Sequence, residues 1–76
     1  MTEKNTALVS ALVASVLDLP NDAVGANASM ENTPQWDSLA QLNICLALQE
    51  KTGVVLDMEA IASSTSVIAL AALIPG

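Results

Sequence analysis

Residues 36–56, WDSLAQLNICLALQEKTGVVL, carry the reading that decides the fold. After Asp37, residues Leu39, Leu42, Cys45 or Leu46, and Gln49 recur at three- and four-residue intervals. That is the period of a helix and not of a strand. A carboxylate just ahead of such a run can accept the N–H groups that the first turn leaves without partners. Asp37 is therefore expected to cap a helix over 38–52. Lys51 falls where a positive charge suits the carbonyl end of the helix dipole. Gly53 falls where a left-handed residue closes a helix.

Working outward, residues 3–18 predict another helix. Leu8, Val9, Leu12, Val13, Val16 and Leu17 form one apolar stripe, Thr2 is placed to cap it, and Pro20 cannot continue it. Residues 20–36 are rich in Asn, Asp, Gly, Ser, Thr and Pro and predict a long connection, tacked to the core by Ala23, Val24 and Met30. Connections of that length without regular structure are often functional. Val54-Val55-Leu56 is a short extended run. Asp57 is expected to cap a brief helix over 57–61, and the serines of 63–66 to cap a last helix over 67–74, ended by Pro75-Gly76. Nothing repeats and no strand alternation occurs. The predicted fold is all-α: three main helices and one short one in a single domain, residues 1–76. The expected core is Leu8, Leu12, Val16, Leu42, Leu46, Ile61, Val67 and Leu70.

Composition narrows the function. Over half of the 76 residues are apolar, yet Trp36 is the sole aromatic, so the core must be aliphatic. Eight acids stand against Lys4 and Lys51, a net charge of −6. Nucleic acid is not expected as a partner, since phosphates call for clustered Lys and Arg. Nor is an anionic membrane; a basic protein surface fits better. No stretch reads as a secretory signal or a transmembrane span. A cytoplasmic monomer is expected. The lone Cys45 has no partner for an internal disulfide. The absence of histidine removes a Ser-His-Asp triad and any credible zinc-ligand set. A serine-based enzyme would have to draw its base from Lys4 or Lys51, and Lys51 lies at the far end of its own helix from Ser38. No catalytic residue, metal site or enzymatic activity is expected.

Ser38 remains. If Asp37 is the cap, Ser38 is the first helical residue, its hydroxyl beside free N–H groups and the positive end of the dipole. That position suits an anion such as a phosphodiester. The plainer reading is that Asp37-Ser38 only starts a helix.

The wider pattern separates the two. An acidic chain of this length, with four helical segments, a long first connection and Asp-Ser-Leu opening the second helix, resembles the acyl carrier proteins. The likeness is strongest over 36–56 and again over STSVIALAALI, residues 64–74. It implies a small carrier-protein bundle of the freestanding type. It implies that Ser38 bears 4′-phosphopantetheine, covalently attached from coenzyme A, with Asp37 as the flanking acid and Leu39 docking partner enzymes. The carried acyl group would ride as a thioester. The implied partners are a phosphopantetheinyl transferase, an acyl- or aminoacyl-loading ligase or transferase, and downstream synthase enzymes of fatty acid or polyketide type. An aminoacyl or peptidyl carrier is the alternative, and a helical interaction module without the prosthetic group ranks below it.

One feature departs from the family pattern. Second helices of such carriers often bear acids outward, whereas the equivalent positions here are Ala40, Asn43 and Gln49. That favours a specialised lipid or secondary-metabolite pathway. Trp36 either docks a partner or anchors the connection over a core with no other aromatic. Cys45, Leu46, Leu56 and Ile61 are candidates to line an acyl pocket, and equally are what any core requires.

Overall fold

The structure, a computed structural model, describes residues 2–74, the side chains of residues 2 and 3 excepted. Four helices follow in order: α1 (Thr2–Leu17), α2 (Ser38–Thr52), α3 (Met58–Ser63) and α4 (Val67–Ala71). Helix α1 packs against both α2 and α4, and α3 lies against α2.

The helix ends are set by local chemistry. At the end of α1, Asp18 takes a left-handed conformation with φ 58°. The Leu19 N–H then reaches back to the Ala14 carbonyl at 2.8 Å, and the Asp18 N–H to the Ser15 carbonyl at 3.3 Å. This paired closure satisfies carbonyls that the helix leaves free, and Asp tolerates the left-handed turn better than most residues. Thr2 is already helical, one position inside the cap expected of it. Its side chain and Pro75-Gly76 lie outside the described residues. Gly53, φ 76°, closes α2, with its N–H on the Gln49 carbonyl. Asp57 caps α3 and Ser66 caps α4, each through its side chain. Helix α3 runs to Ser63, two residues beyond expectation. Helix α4 stops at Ala71, and a tight turn carries the chain to Ile74.

The connection from 18 to 37 is held at several points. A 3₁₀ turn at Asn21–Ala23 leads to Val24, which is buried. Ser29 forms an isolated antiparallel bridge with Ser66, in which Met30 N–H bonds the Thr65 carbonyl and Val67 N–H the Ala28 carbonyl. Asn32 braces the bend with its side chain, accepting from the Ser29 N–H and donating to the Asn27 carbonyl. Ala23, expected to tack the loop down, is exposed. Val54-Val55-Leu56 is extended but pairs with nothing in a sheet, and the Leu56 N–H bonds the Gln49 side chain at 2.8 Å.

The core combines Val9, Val13 and Ala14 of α1, Val24 and Trp36 of the connection, Ala40, Ile44, Cys45 and Leu48 of α2, Leu56, and Val67, Leu70 and Ala71 of α4. Leu12, Val16 and Ile61 pack at its edge. The register of α2 differs from expectation. Leu42 and Leu46 are 43% and 48% exposed and do not belong to the core, and Leu39 is 68% exposed. The buried face is Ala40, Gln41, Ile44, Cys45 and Leu48. Ala40, expected outward, is inward, and the half-buried Gln49 is occupied by Leu56. The physical reason is that α2 is apolar on two faces. Leu39, Leu42 and Leu46 keep helical spacing as well as Ile44 and Leu48 do, so periodicity alone cannot rank them.

Stability measurements check this register. Leu48→Ala is expected to cost about 2–5 kcal/mol, the range for buried leucines. Leu46→Ala, although Leu46 is expected from the sequence in the core, should cost less than about 1 kcal/mol in denaturant unfolding. A large loss for Leu46→Ala with little for Leu48→Ala would reverse the assigned faces.

Candidate functional site

The first turn of α2 is where the unusual residues converge. Asp37 stands in extended conformation and its Oδ1 accepts the Ala40 N–H at 2.9 Å. Its carbonyl accepts the Gln41 N–H at 2.8 Å. The N–H groups of Ser38 and Leu39 have no carbonyl one turn earlier in the helix to bond. Ser38 is exposed, as are Asp37 and Leu39. The structure thus places Ser38, Asp37 and Leu39 together at the surface, on a capped helix end.

Trp36 goes the other way. It is 1% exposed and donates its indole N–H to Gln41 Oε1 at 2.7 Å. Of the two roles open to it, loop anchor is the one its position serves; a docking side chain it is not. Its partner, Gln41, was not singled out from the sequence. The Gln41 Nε2 donates to the Ile61 carbonyl at 2.7 Å and to the Ser64 carbonyl at 2.8 Å, with Cys45 Sγ 3.5 Å away. The amide is thus fully used, and among the described residues no buried polar side-chain atom lacks a partner. The only local hint was a glutamine in line with Ile44, Cys45 and Leu48; its partners lie 20 and 23 residues along the chain.

The four residues nominated for an acyl pocket are not brought together as a set. Cys45 and Leu56 are buried and Ile61 is half-buried, but Leu46 faces outward. Leu46 is therefore no part of a buried pocket in this structure. A groove of about 430 Å³ does exist, between α1 and α2, lined by Leu8, Leu12, Val16 and Ala47 with Glu50 and Lys51 at the α2 side. It shares no residue with the nominated set. It lies near the C-terminal end of α2, where Ala47 is about 13 Å along the axis from Ser38. Among the described residues no cluster of three or more His, Cys, Asp or Glu is placed to hold a metal. No helix there is long and apolar enough to cross a membrane.

Against this geometry, a family model described as the phosphopantetheine attachment site matches residues 7–74. The chain belongs to that family. No curated protein and no solved structure matches it. The protein is thus a carrier of covalently attached 4′-phosphopantetheine, in a family that is itself non-catalytic and that works with phosphopantetheinyl transferases and acyl-handling enzymes. The match spans all four helices of the carrier, from within α1 to the turn after α4.

Burial decides the chemistry of the lone cysteine of the chain. Cys45 has no exposed surface, and desolvation pushes its pKa above the ordinary thiol value. A buried neutral thiol is inert. In the native apo-protein Cys45 is therefore expected to resist a thiol-labelling reagent at pH 8, and to label fully in denaturant. The sign of the pH effect follows: the raised native pKa gives a contribution to stability that is complete below the unfolded thiol's pKa and is lost as pH rises through the native one. Rapid labelling of the native apo-protein would show that Cys45 is reached without unfolding.

Proposed function

We propose that Ser38 is the attachment residue and that the protein is a freestanding acyl carrier of a specialised lipid or secondary-metabolite pathway. The observation that carries the first part is the division of labour at the start of α2. Asp37 supplies the cap, so the Ser38 hydroxyl is not needed to hold the helix. The site fits the group: a hydroxyl exposed on a rigid turn can be reached by a transferase, and the first-turn N–H groups and helix dipole favour the phosphate's charge. Attachment forms a bond between Ser38 Oγ and the pantetheine phosphorus of coenzyme A, with the adenosine bisphosphate leaving and the serine proton passing to a base of the transferase. Once bound, the group supplies a thiol that holds the cargo as a thioester. The chain's own residues give position: Asp37 fixes the turn, and Leu39 stands exposed beside the serine for a partner to grip.

The second part rests on the outward face of α2. Leu39, Leu42, Asn43 and Leu46 form a neutral, largely apolar stripe, with Glu50 as the acid further along. Docking by this face uses apolar contact more than charge. The expected docking residues are thus Leu39, Leu42 and Leu46, with Trp36 withdrawn from the set. A peptidyl or aminoacyl cargo in place of an acyl chain is compatible with the same surface.

Two measurements test these assignments. Apo-protein incubated with coenzyme A, magnesium and a broad-specificity phosphopantetheinyl transferase should gain one phosphopantetheine, located on Ser38 by peptide mapping. Ser38→Ala should melt at nearly the wild-type temperature and gain none. Addition at Ser29 or Ser66 instead would remove Ser38 from this role. For docking, affinity for a cognate enzyme should vary only a few-fold between low and physiological salt, because few screened charge pairs are formed. Leu42→Asp should weaken it by about tenfold, some 1.4 kcal/mol. A steep salt dependence with no effect at Leu42 would instead point to docking by the scattered acids.

A further inference from the structure

We propose that Gln41 bars the space between α2 and α3 to the carried chain, so that the cargo stays outside the core and is short or polar. This rests on attachment at Ser38. Gln41 lies three residues beyond Ser38, about 4.5 Å further along the axis, on the buried side of α2. Its amide spans to the Ile61 and Ser64 carbonyls of α3 and the residue after it, and the Trp36 indole lies bonded to its other end. Behind this bridge stand Ile44, Cys45 and Leu48, all without exposed surface.

A hydrocarbon chain leaving the serine for that interior has to part Gln41 from both carbonyls, or displace Trp36. It offers no donor or acceptor in return. The first course strips the Gln41 Nε2 and the Ile61 and Ser64 carbonyls of their bonds, the second the indole N–H and the Gln41 Oε1, and either is a penalty that the entering methylenes must overcome. The outward side of the same turn has no such bridge, since Leu39 and Leu42 face solvent. The easier course for the cargo is along that outer face. A long apolar chain left there stays in contact with water, which disfavours it as the natural load. A short acyl or a polar aminoacyl group incurs no such cost.

Loading wild-type and Gln41→Met apo-protein with acyl-coenzyme A thioesters from acetyl to decanoyl separates the alternatives. Intact mass records the load, so an unmodified chain counts against the Ser38 assignment, while the behaviour of loaded chains bears on the barrier. For the wild type, the melting temperature and the methyl shifts of Ile44, Leu48 and Ile61 should not change with chain length. Retention on a hydrophobic-interaction column should rise with length, because the chain is outside. For Gln41→Met, the melting temperature should rise by several degrees from acetyl to decanoyl and the core methyl shifts should move, since buried methylenes stabilise a domain of this size. Wild-type melting that climbs with chain length, with moving core methyls, would overturn the proposal. So would a Gln41→Met series as flat as the wild type. If Gln41→Met does not fold, the wild-type series decides alone.

Discussion

The buried amide of Gln41 must have all its hydrogen bonds made inside the protein, and making them fixes three segments at once. Its oxygen takes the Trp36 indole and so seats the end of the long connection. Its nitrogen takes the carbonyls of Ile61 and Ser64 and so sets α3 against α2. The Ile61 carbonyl is among those a short helix leaves without an internal partner, so one side chain closes both the seam and the helix end. Removing such a bridge leaves each former partner unpaired, at about 1–3 kcal/mol per group. In a domain whose total stability is of the order of 5–15 kcal/mol, that makes the bridge a principal constraint on where the first turn of α2 can lie.

This constraint also marks the limit of what the sequence discloses. Asp37, Gly53 and Asp57 were legible as helix boundaries, and the cap of α4 to within residues 63–66, because each acts on backbone groups within four residues. Ser38 was legible for the same reason: its place follows from the residue before it. The inward face of α2 was not, since Leu39, Leu42 and Leu46 compete with Ile44 and Leu48 at equal helical spacing. What settles the face is tertiary, namely the bonds of Gln41 to Ile61 and Ser64, far along the chain. Ala40 and Gln41 were passed over for the leucines, and Cys45 stood only as an alternative to Leu46, although close packing favours small side chains at the helix contact. The end of α4 was overestimated because its apolar pattern continues through Leu73 and Ile74 while the backbone tightens.

Placing leucines outward and an amide inward on one helix has a consistent energetic logic. The core is filled by aliphatic residues from α1, α2, α4 and the connections, together with one indole, and the amide between α2 and α3 makes their geometry specific where further hydrocarbon would pack with less direction. The leucines that the core does not take remain on a stripe about 10 Å long beginning at Leu39. Left exposed, they lose the burial energy they would have in a core, about 1.5–3 kcal/mol each for full burial. A partner that covers them can recover part of it, and with few charges on that face its grip does not depend on long-range attraction.

The handling of hydroxyls gives the same logic at the scale of one atom. Ser66 caps α4 with its own oxygen, Thr52 bonds back to the Leu48 carbonyl, and Ser63 to that of Glu59. Each of these oxygens is committed to its helix. At α2 the cap is a carboxylate one residue earlier, which takes the Ala40 N–H and leaves the hydroxyl of Ser38 outside the hydrogen bonding of the turn. A serine in the cap position itself would have its oxygen drawn down onto the helix end, and esterifying it would unmake the cap. With Asp37 in that place, a phosphate attached to Ser38 adds charge where the dipole favours it and takes nothing from the fold. The order Asp-Ser, and not the serine alone, is therefore what makes this turn compatible with being modified.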